Sequence, residues 1–214
     1  MTVKDNLDRI LKDTKNYNSK IIAVTKYYGV DKMIEAYDAG LRDFAESKVL
    51  DAVAKIGKMD DTIKSQSLYH FIGHLQTNKV KHAVGAFDYI QSVDSLKVAE
   101  CIDHEANKKG IVQKILIQVN NANEPQKYGI EPCNLENLIN KISTMKNIEL
   151  KGLMNIAPLT DDVKKIDRLF SDMKKLQEQY NLKELSMGMS HDYKIALENG
   201  ATMIRLGRIL FENI

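Results

Sequence analysis

Cysteine is scarce in this chain of 214 residues, where Cys101 and Cys133 are the only two. Two thiols cannot build a disulfide framework, and these two lack the spacing of a zinc site. Proline and glycine are also sparse, at 3 and 11 residues, which excludes a collagen-like, low-complexity or disordered chain. Charge of one sign is lacking as well. Lys and Arg number 31 against 29 Asp and Glu, a formal net charge of +2, which removes the electrostatic case for a nucleic-acid partner. Charged residues interrupt every apolar stretch before it nears the roughly 18 residues of a membrane span, so no membrane partner is expected. The opening Met1-Thr2-Val3-Lys4-Asp5 is too polar for a secretory signal. The expectation is a soluble, cytoplasmic monomer with a single domain over residues 1–214.

What the chain does contain is 43% apolar residues arranged in a regular alternation. Short apolar or β-branched runs fall at 20–26, 43–47, 69–73, 89–92, 114–120, 149–157, 184–189 and 203–207. Several are continuous rather than alternating, as parallel strands buried on both faces would be. Between them lie helical patterns. Leu135, Leu138, Ile139 and Ile142 recur at helical spacing, as do Val163, Ile166, Phe170 and Met173. Further helices are expected over 30–39, 47–59, 78–87, 96–109 and 192–199, with an additional one over 3–14 before the first strand. Gly40, Gly110 and Gly200 stand where helix C-caps fall, and Asp161 or Asp162 where an N-cap falls. Eight strand–helix units of about 27 residues each suit an α/β fold, a single TIM (β/α)8 barrel with an N-terminal helix. A doubly wound open sheet is the rival.

A barrel of this kind works at the C-terminal ends of its strands. Those ends offer Lys26, Glu46 with Ser47, Gly73 with His74, Ser92, Asn120, Asn155, Gly188 to Ser190, and Arg205 with Gly207. The loops after strands seven and eight are a common phosphate site. There the N–H groups of Met189, Ser190 and Arg208 would face the dianion, helped by a helix starting near His191. Lys26 closes an apolar run, so its stem would leave a dry interior, and desolvation favours the neutral, nucleophilic amine. The bland alternative is a snorkelling lysine. Arg205 within an apolar strand is costly unless partnered; it either pairs with Glu46 or faces a ring nitrogen or an anion. Lysine, phosphate cup and arginine together are what a pyridoxal-phosphate site needs. His70 and His74 straddle a strand end without a thiol or carboxylate cluster beside them, so metal binding is the weaker reading. His191 reads as a solvated loop residue, and Tyr27 and Tyr28 as packing groups.

These residues carry a resemblance. Ala23-Val24-Thr25-Lys26, Arg42-Asp43-Phe44-x-Glu46 and His70-Phe71-Ile72-Gly73-x-Leu75-Gln76-x-Asn78-Lys79 resemble the YggS/PROSC family of pyridoxal-phosphate homeostasis proteins. So do Lys127-x-Gly129-Ile130, Gly152-Leu153-Met154, Ser186-Met187-Gly188-Met189-Ser190-x-Asp192 and Arg205-Leu206-Gly207-x-x-x-Phe211. The resemblance implies a barrel like the N-terminal barrel of alanine racemases, of PLP fold type III. It implies pyridoxal 5'-phosphate (PLP) held as a covalent aldimine at Lys26. Ser190 and the Gly207 turn would hold the phosphate, with Met189 and Arg208 beside it, Ser47 near the ring, and Arg205 facing the pyridine nitrogen. Four positions depart from the family pattern. Ala45 and Ser47 replace the glycine and asparagine of Phe-Gly-Glu-Asn, Arg208 replaces a Thr or Ser hydroxyl, and Glu212 replaces a glycine. Arg208 either pairs with the phosphate or leaves only its backbone N–H there.

Two functions of different class follow. One is a PLP-binding protein of vitamin B6 homeostasis with little or no turnover, open to free amino acids and to client PLP enzymes as partners. The other is a small PLP-dependent amino-acid racemase. Racemisation needs a base on each face of the α-carbon. The second base of alanine racemases comes from a further domain that is not expected here, so the binder is preferred over the enzyme. A phosphate-gripping barrel without PLP would leave Lys26 unexplained.

Overall fold

The computed structural model describes residues 2–122, 124 and 127–212. Its eight strands are β1 Lys20–Val24, β2 Asp43–Glu46, β3 Leu68–Phe71, β4 Tyr89–Val93, β5 Gln113–Gln118, β6 Ile148–Met154, β7 Glu184–Ser186 and β8 Met203–Leu206. They pair in chain order, all parallel, and β8 returns to β1 with Arg205 opposite Ile22. The sheet is a closed barrel, not an open one.

The helices are α1 Val3–Thr14, α2 Val30–Asp38, α3 Val49–Gly57, α4 Asp61–Ser65, α5 Val80–Ala83, α6 Leu96–Lys109, α7 Leu135–Ile142, α8 Val163–Gln179, α9 Tyr193–Glu198 and α10 Arg208–Phe211. Local chemistry sets several of their ends. Thr2 and Asp5 cap α1 reciprocally, Asp162 rather than Asp161 accepts the Lys165 N–H at the start of α8, and Gly110 caps α6. No helix among the described residues is long and apolar enough to cross a membrane.

Side-chain alternation along each strand divides the core in two. Ile22, Ala45, Tyr89, Leu116, Met154 and Met203 form a cluster in the lumen. Phe44, Phe71, Ile90, Ile117, Leu153 and Ile204 pack outward beneath the helices. The N-terminal helix is bound to the end of the chain. Asn6 Nδ2 donates to Leu210 O at 3.0 Å, and the Tyr193 hydroxyl donates to Asp13 at 2.6 Å.

The helix expected over 78–87 is not formed as one element. A 3₁₀ turn, Thr77–Lys79, runs into the single turn of α5, after which Val84 is extended and bridges Phe87. Val80, Ala83, Val84 and Phe87 are all buried, so their spacing imitates a helical stripe although the chain turns at Gly85, with φ +75°.

Candidate functional site

Strand parity decides which side chains reach the mouth formed by the C-terminal strand ends. Ile22 and Val24 belong to the lumen cluster, and Lys26 continues their parity at the rim. The peptide before it is firmly held. Thr25 donates its N–H to Ala45 O at 3.0 Å and its hydroxyl to Glu46 Oε1 at 2.7 Å. Lys55 of α3 donates to Glu46 Oε1 at 2.5 Å and to Thr25 O at 2.9 Å. Lys26 itself is exposed, with Nζ 4.9 Å from the centroid of the Tyr27 ring. The expected dry stem is therefore corrected. β1 stops at Val24, which leaves the lysine on the rim rather than inside.

Arg205 shares the lumen face of β8 with Met203 and is buried. Its Nη1 donates to Ser186 Oγ at 2.7 Å and its Nη2 to Asn155 O at 2.6 Å. Of the two readings open for Arg205, the ion pair with Glu46 does not form. Glu46 has the outward parity of Phe44 and is taken by Lys55, on the other side of the barrel wall from Arg205. Burial draws the Arg205 pKa down to about 10 while the Asp192 charge opposes that shift, so the group stays cationic at neutral pH. Asn155 Oδ1, just past β6, and Ser92 Oγ, in β4, are buried without a hydrogen-bond partner among the described residues.

Between β7 and β8 the rim turns sharply. Gly188 has φ +89°, and a Cβ there would lie 2.5 Å from the Ala196 Cβ, so only glycine fits. Met189 was expected to offer its N–H to an anion, but donates it to Asp192 Oδ1 at 2.5 Å. The helix expected from near His191 starts at Tyr193, because that carboxylate turn occupies the residues before it, and it has six residues. Burial pushes the Asp192 carboxyl up; the Met189 N–H and then Arg205 pull it back. Ser190 is half-buried, and neither it nor Arg208 gives its N–H to a backbone acceptor among the described residues. The exposed Arg208 side chain donates from Nη2 to His191 Nε2 at 2.7 Å, bridging the two loops.

The structure thus gathers Met189, Ser190, Arg205, Gly207 and Arg208 on the β7–β8 side, next to the β1 rim that bears Lys26. Met189 lines a cavity of about 580 Å³ with Leu159, Asp161, His191 and Asp192. Ser47 is separate, in a cavity of about 290 Å³ with Phe71, His74, Gln76 and Lys79. Glu212 accepts the Tyr28 hydroxyl at 2.7 Å, tying the loop after Lys26 to α10. His74 Nδ1 lies 3.3 Å from Asp94 Oδ2, and its ring stacks on Tyr128. No group of three His, Cys, Asp or Glu among the described residues is disposed to hold a metal. Gln91 and Ser186, which hydrogen-bond each other beside Arg205, were not among the expected site residues, Ser186 having been noted only within a motif. The signal for both was a polar residue at a lumen-facing position of an apolar strand.

Comparison with known proteins places this geometry. Residues 2–213 match the family model of the alanine racemase N-terminal domain. The pyridoxal phosphate homeostasis protein of Aquifex aeolicus is 37% identical over 199 residues, covering 90% of this chain and 86% of that protein. The one from Synechocystis is 38% identical over 198 residues, 90% of each. The solved structure of PipY from Synechococcus elongatus with PLP bound superposes with a TM-score of 0.89 at 35% identity, covering 98% of this chain and 99% of that one. An alanine racemase of Clostridium difficile, 16% identical, shares the fold with a TM-score of 0.77 over 98% of this chain and 57% of its own. The chain belongs to the pyridoxal phosphate homeostasis protein family, whose barrel is that of the alanine racemase N-terminal domain.

Proposed function

We propose that the barrel binds PLP at its C-terminal mouth and serves the homeostasis of that cofactor, holding and releasing it rather than turning substrates over. One observation carries the reading. Arg205 is a buried cation whose hydrogen bonds among the described residues go to neutral oxygens, with the Asp192 charge acting on it from the β7–β8 loop, next to the rim that bears Lys26 and the Gly188–Ser190 turn. A guanidinium can only donate, so it suits a ring nitrogen that accepts, and it disfavours a protonated pyridinium. The other donors fit the same ligand, with an amine for its aldehyde and Ser190, Arg208 and His191 for its phosphate. The unpartnered Asn155 Oδ1 and Ser92 Oγ call for a polar occupant nearby.

When bound, PLP supplies an electrophilic carbon that exchanges one amine for another. Lys26 holds that carbon as a Schiff base, positioned by the Thr25–Glu46–Lys55 knot. Its exposure leaves the linkage open to an incoming amine, which a protein that gives its cofactor up requires. Arg205 keeps the ring a weak electron sink, and that argues against carbanion chemistry. The relatives named for PLP homeostasis support the carrier.

The test is the absorption spectrum of the PLP-loaded protein before and after borohydride reduction. A lysine-imine band that reduction converts to a phosphopyridoxyl group on the Lys26 peptide supports the reading. Absence of uptake overturns it.

A further inference from the structure

We propose that His70 and Asp43 are positioning residues for Arg205, acting through Gln91 and Ser186 along a hydrogen-bonded chain that crosses the barrel lumen. The proposal rests on the reading that places PLP at the mouth with Arg205 toward its ring nitrogen. The lumen of such a barrel is ordinarily filled by branched apolar side chains. Here four polar ones are enclosed, with exposures of 0% for His70, Gln91 and Ser186 and 3% for Arg205. Enclosing them is costly unless every member is satisfied.

They are satisfied in one direction only. Arg205 Nη1 has nothing but protons to offer, so Ser186 Oγ accepts at 2.7 Å. The Ser186 hydroxyl passes its single proton to Gln91 Oε1 at 2.7 Å. With its oxygen so engaged, Gln91 presents Nε2 to His70 Nδ1 at 2.9 Å. That nitrogen must accept, which puts the imidazole proton on Nε2, 3.0 Å from Asp43 Oδ1. Tyr89 stacks on the imidazole with centroids 4.9 Å apart and fixes its plane. The chain runs from a cation at the ligand end to a carboxylate on the first residue of β2, and each bond polarises the next. Gln91 is its middle link. Without that amide the Ser186 hydroxyl is free to turn, and the guanidinium is left with only Asn155 O as a fixed partner.

The experiment measures PLP affinity, the spectrum of the bound cofactor and thermal unfolding for wild type, Gln91→Leu, Arg205→Leu and the double variant. Gln91→Leu is expected to weaken PLP about tenfold and to shift the absorption band. In the Arg205→Leu background the same change is expected to do neither. An equal loss in both backgrounds, or no change in either, overturns the proposal. Should Gln91→Leu not fold, ¹⁵N NMR of wild-type histidines decides. A His70 proton on Nε2 at neutral pH supports the chain, and one on Nδ1 overturns it. Failure of the wild type to take up PLP defeats the binding reading itself. Uptake by the wild type with an unaltered Gln91→Leu defeats only the relay.

Discussion

Nη2 of Arg208 lies 2.7 Å from Nε2 of His191. The guanidinium cannot accept, so that imidazole nitrogen carries no proton. The pair spans the loops after β7 and β8, and Arg208 stands where the family places a hydroxyl. A phosphate at this rim would meet a full positive charge in its place.

Arg208→Ala is therefore expected to weaken PLP about tenfold, the scale of a hydrogen bond to a charged group. Its effect on pyridoxal, which lacks the phosphate, should be small. Ser190→Ala is expected to cost about 1 kcal/mol in the same assay. Isothermal titration with both vitamers is the check, and an equal loss for the two would remove these residues from the phosphate site.

Lys26→Ala is expected to abolish the reducible adduct. Peptide mapping of the borohydride-treated wild type should place the label on Lys26. A label spread over other exposed lysines would mean that the rim position of this residue has no special role.

Gly188→Ala is expected to destabilise the protein by about 2–4 kcal/mol, since a side chain there is both strained and overlapping. Urea unfolding measures this, and PLP affinity should fall with it because the Arg205 N–H donates to Gly188 O. A variant of unchanged stability would contradict the turn geometry.

Burial, followed by the Glu212 hydrogen bond, raises the Tyr28 pKa to about 12. The folded value lies above the unfolded one of 10.0, so this contact stabilises fully below pH 10 and is lost as pH rises through about 12. Tyr28→Phe should cost about 1 kcal/mol at neutral pH. Between pH 10 and 12 the wild type should lose stability more steeply than the variant in chemical unfolding. Parallel curves would show that the contact contributes nothing.

Incubation with alanine in heavy water separates carrier from racemase. Amine exchange onto the cofactor without α-deuteration is expected. Sustained deuteration with formation of D-alanine, lost in Lys26→Ala, would establish turnover.

The strands were legible in the sequence because several of them are the continuous apolar runs of a parallel barrel and the rest fall at the same spacing, and all eight are present. The short α4 and α10 were not, since one or two turns carry no apolar period. The pairing of Arg205 with Glu46, one of two readings left open, could have been excluded from the sequence. Phe44 and Glu46 share one face of β2, Met203 and Arg205 the opposite face of the wall, and parity forbids the pair. The lumen chain was illegible for another reason. His70, Gln91 and Ser186 come within hydrogen-bonding reach only through the register of several strands, which no local pattern encodes.

Closure of β8 onto β1 also sets when, during synthesis, the proposed ligand site can first assemble. Arg205, Gly207 and Arg208 all belong to the last strand and the turn after it. A nascent chain that has emerged only through β7 has the rim lysine but neither the guanidinium nor the second half of the cup. It also presents β1 and β7 as two open sheet edges. Capture of the proposed ligand thus waits for the barrel to close, and the hazard of edge-to-edge association is greatest just before β8 arrives.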